Sequence, residues 1–234
     1  MDTSNCQATQ LAKELLDAID ILEEYNPRVF YEDQHVSLLR GKSYREQWET
    51  STKKYWYHFL LKDGSLIVFE EDSYRYLMSP LAIPTIDDFI HEEFGDGWNE
   101  FSLDEQKDYL SSINFQVDLD NYRSSVADNR PYTPVRYDMS LSDNEYCKFT
   151  HPAFHLHLGF ENNSRLPVKL KMTPFSFCTF ILITFYPKQW HKGLTDQTID
   201  EKFLTKLKNE KDTIVKIKSE LWCNEFEESR YYLS

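Results

Sequence analysis

The sequence predicts an α+β fold: an antiparallel sheet packed by a buried helix and flanked by N- and C-terminal amphipathic helices. Three observations carry this. Short β-rich runs recur between turn residues over 55–78 and 135–172. An apolar segment, Phe175 to Tyr186, follows Thr173-Pro174, an N-cap residue and a proline at the first helical position. Helical periodicity marks both ends of the chain.

From the N-terminus, Leu11, Leu15, Ile19 and Leu22 recur at helical spacing, so Thr9 to Tyr25 reads as an amphipathic helix ended by Asn26-Pro27. Tyr55 to Glu70 reads as two strands around a Lys62-Asp63-Gly64 turn, with His58 packed in the first strand, and Tyr74 to Met78 as a third. Thr85-Ile86-Asp87-Asp88 opens a helix that Gly95-Asp96-Gly97 breaks, and Ser102 to Glu105 is a capping box for a second. Asn121 to Pro134 is rich in turn residues and reads as an exposed loop. Val135 to Leu141, Tyr146 to Phe149 with Ala153 to Phe160, and Arg165 to Met172 are then extended. The apolar 175–186 segment is a buried helix that Pro187 stops; its Phe, Ile and Thr content would also suit a buried strand, and the cap favours helix. Asp200 to Glu220 is a mixed-charge amphipathic helix, within a C-terminal region 198–222. The chain is read as a single α+β domain over 1–234, with 1–120 holding the N-terminal helix and hairpin and 135–187 the motif-bearing core.

Composition narrows the function. A net charge of −13 repels polyanions and anionic membranes at long range, so a nucleic-acid site would need a local cationic pocket. Among only 6 glycines there is no P-loop and no dinucleotide fingerprint. The four cysteines, Cys6, Cys147, Cys178 and Cys223, form no C-x-x-C pair, which suits a reducing compartment rather than a disulfide scaffold. With no secretory leader and no membrane-length apolar run, a cytoplasmic protein with no membrane contact is expected.

Residues i and i+2 of a strand share a face. His155 and His157 therefore project together, as do Arg136 and Asp138 on a preceding strand, and pairing of the two would gather all four on one polar sheet face, with Arg165 at the rim. Two imidazoles can serve as general base and acid, with arginine stabilising a phosphorane, as in metal-free RNA cleavage. Alternatively His155, His157 and Asp138 would hold a divalent metal that activates water, although no cofactor is required by the sequence. A plain structural role, as hydrogen-bonded or ion-paired groups on a polar face, fits the same spacing.

The string Arg136-x-Asp138, His151-Pro152-x-x-His155-Leu156-His157-x-Gly159, Arg165-Leu166-Pro167, Thr173-Pro174-Phe175 and Phe185-Tyr186-Pro187 resembles a bacterial family known only as a domain of unknown function. That resemblance implies a phage-defence setting. Arg136-Tyr137-Asp138 followed by His155-Leu156-His157 is also similar to TumE-type toxins of toxin–antitoxin pairs, which are shorter than this chain and less acidic. This implies an RNA-directed nuclease with catalytic His155, His157, Arg136 and Asp138 and substrate-binding Arg165, and an antitoxin or defence-complex subunit as protein partner. The competing expectation is a non-catalytic acidic subunit of a defence complex that docks a basic partner.

Overall fold

Turn chemistry and two-residue alternation build one continuous meander. Residues 3–32, 35–81, 86–126, 131–140, 147, 150–169 and 171–213 are described by the computed structural model. Its contacts divide the chain into two compact units, residues 1–78 with 133–234, and residues 79–132.

In the first unit, seven described strands form one sheet in sequence order, each antiparallel to the next. They are β1 (Leu22–Tyr25), β2 (Phe59–Leu61), β3 (Leu66–Phe69), β4 (Ser73–Leu77), β5 (Val135–Met139), β6 (Phe154–Leu158) and β7 (Leu166–Pro167). The hairpin turn between β2 and β3 is closed by Gly64 at φ +79°, the left-handed conformation that favours glycine. The register places Tyr74 opposite Tyr137 and Tyr137 opposite Leu156, so one face carries Ile67, Phe69, Tyr74, Tyr76, Tyr137, Phe154 and Leu156, all buried.

Helices α1 (Thr3–Ala18) and α7 (Pro174–Phe185) close over that face, joining it in one core through Ala12, Leu15 and Leu16, and through Phe175, Phe177, Ile181 and Leu182. Burying each of these large side chains contributes about 1.5–3 kcal/mol. Thr173 caps α7 in a full capping box with Ser176, and α7 gives way to α8 (Pro187–Thr195), which starts on Pro187. Helix α9 (Glu201–Thr213) follows. Two helices that the sequence pattern did not announce, α2 (His35–Leu39) and α3 (Tyr44–Lys53), lie between β1 and β2. Helix α3 is tied to the sheet hairpin by Trp48, whose Nε1 donates to the Gly64 carbonyl at 2.9 Å.

The second unit holds α4 (Ile86–Phe94), a 3₁₀ turn (Gly95–Glu100), α5 (Leu103–Leu110) and α6 (Ile113–Val126) around Phe89, Ile90, Phe115 and Leu119. The capping box expected at Ser102 and Glu105 is present. Among the described residues no helix is long and apolar enough to cross a membrane.

Three expectations are corrected. The first helix ends at Ala18, because Asp20 takes φ +58° and turns the chain; Leu22 to Tyr25 is then extended and pairs with β2. The segment from Asn121 is not all loop, since α6 runs on to Val126. The extended run 165–172 is a strand only over Leu166–Pro167. The buried helix ends before Pro187 as expected, and Pro187 then starts α8, because proline suits the first turn of a helix. The proposed strand at 146–149 (except Cys147, in an isolated bridge to His151), the turn at 142–144 and residues 214–222 lie outside the described residues.

Candidate functional site

Across β4, β5 and β6 the opposite face of the sheet carries Ser73, Arg75, Arg136, Asp138, His155 and His157, and register decides what meets there. Arg75 pairs with Arg136, and Arg136 with His157; one step along, Ser73 pairs with Asp138, and Asp138 with His155. Two cross-strand rows thus bring Arg136, Asp138, His155 and His157 together on β5 and β6. Arg165 immediately precedes Leu166, the residue opposite Leu156; it is half-buried, and its Nε finds no hydrogen-bond partner among the described residues.

Asp138 is the hub. Its Oδ1 accepts from the Ser73 hydroxyl at 2.9 Å and its Oδ2 from Arg136 Nε at 2.8 Å. The same Oδ2 lies 3.3 Å from His157 Nε2 and 3.8 Å from His155 Nε2. Burial alone would push the Asp138 carboxyl up, but a hydrogen bond from His157 when its Nε2 is protonated, the Arg136 guanidinium, the Ser73 hydroxyl and, when it is charged, His155 draw it below the usual carboxylate range.

The histidines are not surface groups. His155 and His157 are 1% and 4% exposed. Each ring is oriented by a main-chain carbonyl: His155 Nδ1 donates to Pro152 O at 2.8 Å, and His157 Nδ1 to Asn162 O at 3.0 Å. A carbonyl only accepts, so Nδ1 carries a proton in both rings, and in the singly protonated form of either ring Nε2 is a lone pair. Burial drives His155 down to about 4, with His157 and His151 adding to it and the Pro152 carbonyl and Asp138 opposing. His155 is therefore neutral at physiological pH.

In the singly protonated form the two ring acceptors face a carboxylate that already accepts from Ser73 and Arg136. Two lone pairs face one carboxylate oxygen, and His157 Nε2 is buried without a hydrogen-bond partner among the described residues. The 3.3 Å approach to Asp138 is a hydrogen bond only if the ring gains a second proton. A cation resolves the conflict. The three ligand atoms lie within 4.8 Å of one another, and two ligands of a tetrahedral zinc, each about 2.0–2.1 Å from the metal, sit about 3.3 Å apart. A carbonyl bond at the far ring nitrogen is also how ligating histidines are oriented and made more basic.

The turn that supplies the Asn162 carbonyl is itself fixed. Gly159 takes φ +95° and Glu161 φ +53°, while the Asn162 side chain donates to Leu158 O at 2.7 Å and accepts from Ser164 N at 2.9 Å. Arg75, Arg136 and His157 open onto a cleft of about 290 Å³. Sequence reasoning missed Ser73 and Arg75, although Ser73-Tyr74-Arg75-Tyr76 alternates polar with aromatic as Arg136-Tyr137-Asp138 does. The carbonyls of Pro152 and Asn162 have no side-chain signature and leave no such trace.

One protein-family model matches residues 17–222, and the family is described as an uncharacterized conserved protein, DUF2290. No curated protein and no solved structure matches the chain.

Proposed function

Because the chain belongs to the DUF2290 family of uncharacterized conserved proteins, its activity has to be read from the site, and we propose that it is a metal-assisted phosphodiesterase, a nuclease-like effector directed at RNA. The observation that carries the reading is the convergence of two carbonyl-oriented Nε2 lone pairs on the Asp138 carboxylate. His155, His157 and Asp138 are the ligands. A bound divalent ion would supply a hydroxide nucleophile at neutral pH and polarise the phosphoryl oxygen. Arg136, held beside the ligand set by Asp138, neutralises charge that develops on the phosphate.

Burial of His155 favours ligation over the metal-free acid–base scheme, in which both imidazoles would have to reach substrate. The choice of a phosphodiester rests on the arginines at the cleft and on the resemblance to TumE-type toxins, which also carries the effector role and the antitoxin-like partner. The net charge of −13 favours a second reading, a non-catalytic acidic subunit that docks a basic protein.

The deciding experiment incubates the purified protein with total RNA, single-stranded DNA and duplex DNA. It is run with EDTA, with Zn²⁺ or Mn²⁺ restored, and beside the His155→Asn/His157→Asn variant. RNA cleavage that EDTA stops, metal restores and the double variant lacks is the expected result. Cleavage indifferent to EDTA would return the site to acid–base chemistry, and no cleavage in any arm would favour the docking subunit.

A further inference from the structure

Arg75 and Arg136 stand directly opposite each other on β4 and β5. Like charges at opposed positions of an antiparallel pair are destabilising, and the arrangement is the more unusual in a chain of net charge −13. Each guanidinium is anchored by a carboxylate, Arg75 by Glu70 at 3.0 Å and Arg136 by Asp138 at 2.8 Å. With five N–H donors on each, these contacts leave donors for a further acceptor. Both side chains line the same cleft, and His157 is the next residue in their cross-strand row.

We infer that Arg75 and Arg136 form an anion subsite in this cleft, one that takes the phosphate of a single nucleotide unit beside the Asp138–His155–His157 cluster. The inference rests on the phosphodiesterase reading for its setting and adds to it a residue, Arg75, and a substrate size. Opposed strand positions are about 4.5–5.5 Å apart at Cβ, so the two forks can bracket one tetrahedral oxyanion. The lining of the cleft also includes two aromatic rings, buried Tyr44 and partly exposed Phe160, which meet edge to face with ring centroids 5.4 Å apart. A volume of about 290 Å³ lies at the small end of ligand sites, roughly 300–1,000 Å³. The net charge of −13 disfavours a long polyanion, so a chain end or a short oligonucleotide is the fitting substrate. Glu161, exposed on the turn, is the one carboxylate among the described residues lining the cleft and opposes the anion.

The test is calorimetric titration of the full-length protein with 5′-AMP and with adenosine, in EDTA, so that no metal contributes. The expected result is that AMP binds and adenosine does so at least tenfold more weakly. Arg75→Gln should lose tenfold or more in AMP affinity, Arg75→Lys should lose less, Glu161→Gln should gain, and Lys202→Gln on α9 should match the wild type. Circular dichroism confirms that each variant is folded. Equal affinity of Arg75→Gln and wild type, equal affinity for AMP and adenosine, or no AMP binding at millimolar concentration would each overturn the inference. A separate Zn²⁺ titration keeps the two ideas apart: AMP binding that depends on Arg75 in a protein that binds no metal would sustain the anion subsite and remove the metal centre.

Discussion

His157 Nε2 lies 3.3 Å from Asp138 Oδ2 while its Nδ1 donates to the Asn162 carbonyl, so a singly protonated ring turns its lone pair toward a carboxylate. This is a costly arrangement for a neutral ring and a favourable one for a ligand of a cation. The first prediction follows from it. The metal-free protein should take up one equivalent of Zn²⁺, and Asp138→Asn should weaken that uptake by about 100-fold or more, removing a charged ligand. Titration against a competing chelator reads the constant; equal affinity in the variant would exclude Asp138 as a ligand.

Asn162 contributes to the centre from outside it. Its side chain pins the turn through Leu158 O and Ser164 N, and its carbonyl orients His157. Asn162→Ala should leave the ligands in place but loosen their aim, costing about 10–100-fold in Zn²⁺ affinity, as lost outer contacts of metal sites do. Chelator competition on a variant shown to be folded checks this.

His58 provides a pH dependence separate from the site. It is 4% exposed, its Nδ1 accepts from Phe69 N at 3.1 Å, and burial lowers it to about 4. The unfolded chain, with a pKa of about 6.5, binds the proton more tightly, so stability falls as pH drops below about 6.5 and levels off below about 4. The full difference is about 3 kcal/mol. Urea midpoints between pH 7.5 and 4.5 should fall less in His58→Asn, whose side-chain oxygen can still accept from Phe69.

Gly193 marks a close approach of α8 to its neighbours. A Cβ there would meet Ile19 Cγ2 at 2.7 Å and Ile199 Cδ1 at 2.9 Å. Gly193→Ala should therefore destabilise by about 1–3 kcal/mol through overpacking. The double variant Gly193→Ala/Ile199→Ala should lose less than the sum of its parts, because truncating Ile199 makes room. Strict additivity in a denaturation cycle would show that the contact does not couple the two positions.

What was legible in the chain was what short-range chemistry writes there. The Lys62-Asp63-Gly64 turn, the Ser102–Glu105 box, the Thr173-Pro174 cap and the alternation of Arg136, Asp138, His155 and His157 are local signals, and each appears where it was expected. Less visible were α2, α3 and α6. Helix α6 carries few turn breakers before Asn121 but no clean apolar stripe, while Leu22–Tyr25 matched helical spacing and was drawn into β1 by pairing with β2. Helical periodicity and a four-residue edge strand are hard to separate when only the partner strand decides.

By itself, then, the sequence determined the α+β class, the identity of the four polar residues and the fact that each pair shares a strand face, because side-chain alternation is a property of a single strand. Only the tertiary structure decided that β5 pairs with β6 in the register that opposes Asp138 to His155 and Arg136 to His157. It also placed Arg75 beside Arg136 and buried both imidazoles under carbonyls of Pro152 and Asn162. Register, burial and main-chain hydrogen bonds are set by contacts between distant segments, and those contacts gather an Arg, an Asp and two His around one carboxylate.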